Sequence, residues 1–167
     1  MANKYYYLVA SLPYLRFGEE PPVTTVAYLE ECEKWLNEED LSLVRSLDIK
    51  EPDTKEGDTP LIRQWKEFDL TLKTEIAGTR KKGEQVSKKN VSFAVREALD
   101  KKDPLARERA VEKMRWAFLD GEEHKYTFDT NSLVLYGLKV QILERLAGFD
   151  AEQGRNVFDK VCEVKYE

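Results

Sequence analysis

The residues of this chain that could take part in catalysis or metal binding are few and widely separated. The sequence of 167 residues has one histidine, His124, and two cysteines, Cys32 and Cys162. A serine- or cysteine-type triad would have to be built around His124, and a zinc site needs more closely spaced ligands than these. Both cysteines are interpreted as reduced thiols on helix faces of a cytosolic protein.

The sequence also lacks the common motifs for nucleotide binding and hydrolysis. It contains no GxGxxG or GxxxxGK[ST] loop, no G-x-S-x-G elbow and no HExxH. Its paired acids, such as Glu30–Glu31 and Glu122–Glu123, are typical of solvated helix faces. We therefore predict that the protein is not an enzyme and has no catalytic residue, cofactor or metal. An enzyme of another type would need a deep pocket around His124 with clustered carboxylates.

Charge is unevenly distributed along the chain, whose net charge is −5. Residues 1–54 include 5 basic and 11 acidic residues, whereas residues 79–115 include 12 basic and 6 acidic ones. The densest basic part is RKKGEQVSKKN, residues 80–90. It is interpreted as a solvated face, as a surface that docks on an acidic protein partner, or as a free-standing nucleic-acid-binding module. The overall acidity disfavours nucleic acid. The candidate interface residues in this segment are Arg80, Lys81, Lys82, Lys88 and Lys89.

A second candidate interface is the aromatic stretch YYYLVASLP, residues 5–13. It is too short to span a bilayer, and its tyrosines and proline fit a signal peptide badly. We expect either a short strand or a first helix that ends at Pro13. Its aromatic side chains either line a partner interface, where such residues are enriched, or pack alternately in the core. The candidates are Tyr5, Tyr6, Tyr7, Tyr14 and Phe17.

The elements that would position these residues are predicted to be helices. The first amphipathic helix is capped by Thr24 or Thr25 and runs through the segment TTVAYLEECEKWLNEED. Residues 48–58 follow as a polar loop with a proline and a glycine. The inward stripe of this helix is expected to be Val26, Leu29, Cys32, Trp35 and Leu36.

The clearest helical pattern begins after this loop. Thr59 is a natural N-cap, and Pro60 takes the first helical position, where its missing N–H costs nothing. The helix either ends near Gly78 or continues through Lys82. Its stripe is predicted to be Leu61, Trp65, Phe68, Leu72 and Ile76.

Four further helical segments complete the prediction. VSFAVREALD is a short helical piece, and the next helix begins at Asp103–Pro104 and ends at Gly121. A helix capped by Thr130 or Asn131 is apolar nearly all round, which predicts the most buried position. A last helix follows Asp150. Without a repeat or strand–helix alternation, we predict one all-α domain, residues 1–167, a bundle of about five to seven helices with the opening stretch as the one candidate strand.

Three stretches together resemble a known family. They are YYYLVASLPYLRFGEEPP, WKEFDLTLKTEIAGTRKK and LVLYGLKVQILERLAGFDAEQGRNVFD. They are similar to a bacterial family of uncharacterised proteins whose genes lie among those of V-type ATP synthases. That family looks like a compact relative of the C-type subunit of prokaryotic V/A-type ATPases, which is the d-type subunit in eukaryotes.

The resemblance implies a function without catalysis. The C-type subunit is an all-helical part that couples the central shaft to the membrane rotor ring during proton or sodium ion transport. By resemblance, this chain is expected to be a non-catalytic subunit or an assembly factor of a rotary ATPase. Its partners would be the shaft and rotor ring subunits, and its location cytoplasmic, peripheral to the inner membrane within the complex. The chain is shorter than the C-type subunit, which has about three helical modules.

Overall fold

Seven helices make up the part of the chain that the computed structural model describes, residues 5–81 and 92–149, with the side chains of Arg80 and Lys81 excepted. No strand occurs within these ranges, so the predicted all-α bundle is confirmed. None of the described helices is long and apolar enough to cross a membrane. The helices are α1 (Tyr6–Ser11), α2 (Thr25–Glu33), α3 (Glu38–Arg45), α4 (Pro60–Lys81), α5 (Phe93–Leu99), α6 (Pro104–Glu123) and α7 (Thr130–Ala147).

Helix α7 lies at the centre of the bundle and is the most buried of these helices, as its all-round apolar pattern predicts. Helices α2, α3 and α6 pack against it. Gly137 allows the close approach of α2, because a Cβ atom there would lie 3.1 Å from Cε1 of the Tyr28 ring. The Tyr28 hydroxyl in turn donates a hydrogen bond of 2.7 Å to the carbonyl of Leu133.

Three apolar clusters hold the helices together. The largest joins α4, α6 and α7 around Trp65 and Trp116. The second fixes α1, α2 and α3 to the start of α7 through Leu8, Tyr28 and Leu133. The third packs α5 between α4 and α6. Apolar burial therefore connects every helix to its neighbours, which is the main favourable term in folding.

Helix α4 follows its prediction closely. The Thr59 hydroxyl accepts a hydrogen bond of 3.4 Å from the Ile62 N–H, and Pro60 is the first helical residue. The helix runs through Gly78 to Lys81 rather than ending at the glycine. All members of the predicted stripe contribute to an apolar cluster, namely Leu61, Trp65, Phe68, Leu72 and Ile76.

The first half of the chain agrees with its prediction at the start and differs from it further on. The opening stretch is helix α1, the helical one of the two predicted alternatives, and it ends at Ser11, before Pro13. The next segment is two helices instead of one, because the Asn37 side chain accepts a hydrogen bond of 2.8 Å from the Asp40 N–H and starts α3 anew. Val26 and Trp35, both predicted to face inward, are exposed. Cys32 is buried as predicted.

Two helix ends were also predicted wrongly. Helix α6 continues past Gly121 to Glu123. The cap of α7 is Asp129 rather than Thr130 or Asn131, and its carboxylate accepts a hydrogen bond of 2.8 Å from the Ser132 N–H. The helix predicted after Asp150, with Cys162, lies outside the described residues.

Candidate functional site

The three consecutive tyrosines of the opening stretch take different environments, because Tyr5 is the N-cap of α1, whereas Tyr6 and Tyr7 are its first two helical residues. Tyr5 is buried in the cluster under α1, and its hydroxyl donates to the Asp40 carboxylate. Tyr6 is 47% exposed and Tyr7 is 73% exposed. The first tyrosine thus anchors α1, whereas the next two present their rings to solvent.

The exposed rings form a continuous surface with residues from two other parts of the chain. The Tyr6 and Phe128 ring centroids lie 4.7 Å apart, and the Tyr6 and Tyr7 rings meet edge to face at 5.6 Å. Tyr7 lies nearly parallel to Trp35, with a centroid distance of 6.4 Å and an angle of 22°. We call these four residues, Tyr6, Tyr7, Trp35 and Phe128, the aromatic surface.

Backbone contacts hold the aromatic surface in place. The Tyr5 N–H donates a hydrogen bond of 3.1 Å to the Phe128 carbonyl, which ties the start of α1 to the residue before the cap of α7. Phe128 adopts a φ of 56°, an outlier for a bulky residue. Such strain costs roughly 1–3 kcal/mol and persists only where the surroundings enforce it. Trp35 is fixed separately, since its indole N–H donates a hydrogen bond of 3.2 Å to Glu31.

The remaining aromatic candidates lie elsewhere. Tyr14 is 83% exposed, and the Arg16 guanidinium lies 5.9 Å from its ring centroid. Phe17 is half-buried and meets Trp116 edge to face at 5.6 Å. Packing in the core, the alternative to an interface, therefore describes Tyr5 and Phe17. Trp35 and Phe128 were not among the predicted site residues, because they are distant from α1 in the sequence and only the folding of the chain brings them next to it.

The predicted basic interface lies mostly outside the described residues. Arg80 and Lys81 are in the last turn of α4, but their side chains are not described. Lys82, Lys88 and Lys89 fall in the part of the chain that the structure leaves undescribed. The segment remains a prediction.

A buried charge network that the sequence did not predict lies at the contact of α4, α6 and α7. The Arg115 guanidinium bonds to Asp69 at 2.7 Å and to Glu112 at 2.6 Å. Lys73 also pairs with Asp69, at 2.7 Å, and Arg145 lies 3.0 Å from Glu112. Asp69, Glu112 and Arg115 are all buried. These ion pairs fix how three helices meet.

Burial affects the ionisation of this network. Removal from water raises the pKa of Glu112, although the guanidinium groups of Arg115 and Arg145 act in the opposite direction. One oxygen of Glu112, Oε2, has no hydrogen-bond partner among the described residues. The carboxylates are enclosed and paired with cations, which is the arrangement of a structural ion pair rather than of an acid–base pair open to a substrate.

An open groove of about 610 Å³ lies between the starts of α3, α4 and α7. Two of the three carboxylates that line it are already engaged. Asp40 accepts a hydrogen bond of 3.0 Å from Thr130, and Asp58 one of 2.7 Å from Lys66. His124 does not line this groove; it is exposed at the end of α6. Within the described residues, no group of three or more histidine, cysteine or acidic side chains is placed to hold a metal ion.

The fold and the exposed rings define an all-α bundle with an aromatic surface at the end where α1 and α2 meet. Comparison with known proteins adds one match: residues 83–165 match the family described as "Protein of unknown function (DUF2764)". The match spans just under half of the chain and includes α5, α6 and α7. No curated protein and no solved structure matches significantly.

Proposed function

We propose that the chain is a non-catalytic subunit or assembly factor of a V-type rotary ATPase, which docks on its neighbours through the aromatic surface. The observation that supports docking most directly is the solvent exposure of three large rings that contact one another, Tyr6, Tyr7 and Trp35. Tyrosine and tryptophan are enriched at protein interfaces, above all at the residues that contribute most of the binding energy. The identity of the complex comes from the family resemblance of the sequence.

A coupling part must transmit force without deforming, and several features of the bundle favour stiffness. Helix α4 has 22 residues, which at 1.5 Å per residue gives a length of roughly 33 Å. The ion pairs of Arg115 connect α6 to α4, and those of Arg145 connect α7 to α6. Such a bundle transfers load through packed helices and needs no chemistry of its own.

The attachment of α1 supports a role for its rings in binding. The helix has only six residues and would not be stable alone, because isolated helices of this length do not form in water. It is held by the buried Tyr5 and Leu8 and by the Tyr5–Phe128 backbone hydrogen bond. The rings of Tyr6 and Tyr7 are therefore pre-positioned, which lowers the entropy cost of binding.

The proposal is tested by affinity purification of the tagged protein from the native membrane fraction, followed by mass spectrometry. We expect the catalytic A and B subunits and the shaft subunits to be recovered. The double variant Tyr7→Ala/Trp35→Ala should reduce this recovery at least tenfold, since interface hot spots contribute about 2 kcal/mol or more. Tyr14→Ala is the matched control, because Tyr14 is more exposed but makes no ring contact with the aromatic surface.

Two results would count against the proposal, and they differ. If the wild-type protein recovers no ATPase subunit, the assignment to the rotary complex is wrong. If the wild-type protein and the double variant recover the subunits equally, the complex stands but the aromatic surface is not its interface. Far-UV circular dichroism of the double variant verifies that the bundle is folded.

A further inference from the structure

The aromatic surface lies in the most acidic part of the described chain. Between Arg16 and Arg45 the sequence has eight acidic residues and a single basic one, Lys34. Lys34 is already paired, because its ammonium lies 2.6 Å from the Glu31 carboxylate. The exposed carboxylates of the neighbouring turns, Glu30, Glu38 and Glu39, have no ion-pair partner among the residues that the structure describes.

The face of α1 beside these acids carries no charge at all. Residues 5–15 include no Asp, Glu, Lys or Arg. Tyr6, Tyr7, Ala10 and Ser11 are exposed on the helix, at positions that share one side. A partner segment that covers this surface therefore needs an apolar strip for the rings and Ala10, and positive charge along the edge that meets α2 and α3.

The ring geometry favours one kind of positive charge. Tyr7 and Trp35 are both at least half exposed and lie within 22° of parallel, and the Trp35 indole N–H donates to Glu31, so two exposed rings with nearly parallel faces lie beside this carboxylate. Hydrogen bonds from Lys34 and Trp35 keep the pKa of Glu31 below its usual range, so this carboxylate stays ionised. A planar guanidinium stacks on such faces and pairs with carboxylates in a bidentate manner, whereas a lysine ammonium is a more strongly hydrated point charge.

We propose that the aromatic surface binds an arginine-bearing amphipathic helix of a partner protein, with guanidinium groups stacked on Trp35 and Tyr7 and paired with the carboxylates of α2 and α3. This inference rests on the proposed function only in taking the surface to be an interface. It does not depend on which complex supplies the helix. The acidic surroundings disfavour nucleic acid and anionic membranes as occupants.

The fluorescence of Trp35 gives a direct assay. Of the three tryptophans, Trp65 and Trp116 are buried and Trp35 is 50% exposed, so an external ligand should affect Trp35. The probes are synthetic amphipathic helical peptides with leucines on one face and arginines on its edges. Matched peptides replace every arginine by lysine or by glutamate. Sedimentation of the protein alone over a range of concentrations tests whether a second copy occupies the surface.

We expect the arginine peptide to change the Trp35 emission saturably and to bind more weakly as salt is raised. The lysine peptide should bind roughly three- to fivefold more weakly, since one exposed cation–π contact is worth about that factor. The glutamate peptide should not bind, because its charge has the same sign as the carboxylates of the surface. Tyr7→Ala and the charge reversal Glu30→Lys/Glu38→Lys should each weaken the arginine peptide several-fold. Tyr14→Ala should leave its affinity unchanged.

Equal affinities for the three peptides, or unchanged binding to Tyr7→Ala, would overturn the inference. So would a dimer of the protein alone that buries Trp35, because the occupant would then be a second copy. These outcomes are independent of the purification experiment. If ATPase subunits are recovered but the peptides show no arginine preference, only the proposed arginine-bearing partner helix is refuted. If the peptides show an arginine preference but no ATPase subunit is recovered, only the assignment to the rotary ATPase is refuted.

Discussion

Replacing Arg115 by methionine should lower the free energy of unfolding by about 3 kcal/mol, because the change leaves two buried carboxylates with one cation fewer. Arg115 bonds to Asp69 at 2.7 Å and to Glu112 at 2.6 Å, and Glu112 is 0% exposed. Methionine fills much of the same space, so the main effect is on charge rather than on packing.

The magnitude follows from what remains after the change. Breaking a buried ion pair by removing one partner costs about 3–5 kcal/mol when the other charge is left uncompensated. Here Asp69 keeps Lys73 at 2.7 Å, and Glu112 keeps Arg145 at 3.0 Å. The loss should therefore lie at the lower end of that range. It remains large against a typical total stability of about 5–15 kcal/mol.

The assay is equilibrium unfolding in urea, followed by far-UV circular dichroism, for the wild type, Arg115→Met and the double variant Arg115→Met/Glu112→Met. The double variant should be more stable than the single one, because it also removes the buried carboxylate that has lost Arg115. A loss below about 1 kcal/mol for Arg115→Met would refute the reasoning. So would a double variant that is less stable than Arg115→Met.

The pH dependence gives a second check on the same variant. Burial raises the pKa of Glu112 in the folded protein, so protonation favours folding relative to the unfolded chain. Stability associated with Glu112 is therefore present below its unfolded pKa and is lost as the pH rises through the higher folded pKa. Without Arg115 the folded pKa should rise further. The destabilisation by Arg115→Met should thus be smaller at about pH 4 than at neutral pH.

Two further predictions concern single contacts of the bundle, and both are measured by urea unfolding. Gly137→Ala should destabilise the protein by about 1–3 kcal/mol, because the added Cβ would press on the buried Tyr28 ring. Gly78→Ala, whose Cβ would have no atom within 4 Å, should stabilise it by up to about 1 kcal/mol. Equal effects of the two substitutions would contradict the packing of α2 on α7. Burial acts to raise the pKa of Asp58, but hydrogen bonds from Lys66 and a backbone N–H hold this pKa below its usual range. Ionised Asp58 therefore stabilises the folded protein above its unfolded pKa, and this stability is lost as the pH falls through the folded pKa. Asp58→Asn should therefore lower stability at neutral pH and reduce its decline in acid; an unchanged pH profile would show that the Lys66 pair contributes nothing.

The parts of the fold that the sequence predicts well are those with strong local signals. Thr59 and Pro60 fix the start of α4, and five apolar residues at helical spacing fix its buried side. The first amphipathic helix was predicted less well, because its inward side is set by tertiary contacts. Val26 is exposed, and Tyr28 is buried instead because its hydroxyl finds the Leu133 carbonyl inside the bundle.

The buried charges show a second limit of prediction from sequence. Charged residues on a helix are normally solvated, so Glu112 and Arg115 gave no sign of burial by type alone. Their positions do carry a signal, because they lie in register with Val111, Trp116 and Leu119 on the inward side of α6. An acid and an arginine three residues apart within an apolar stripe indicate an internal ion pair, provided that a neighbouring helix supplies the second acid, as Asp69 does here.

The aromatic surface exists because the opening stretch is a helix. In a strand, alternate residues share a face, so Tyr5 and Tyr7 would point the same way and Tyr6 the other. In the structure Tyr5, the N-cap of α1, is buried while Tyr6 and Tyr7 in its first turn are both exposed, and this places Tyr7 against Trp35, just after α2. The same composition in a strand would either bury Tyr7 or expose Tyr5. The secondary structure of one short segment therefore decides whether these tyrosines are core residues or a binding surface.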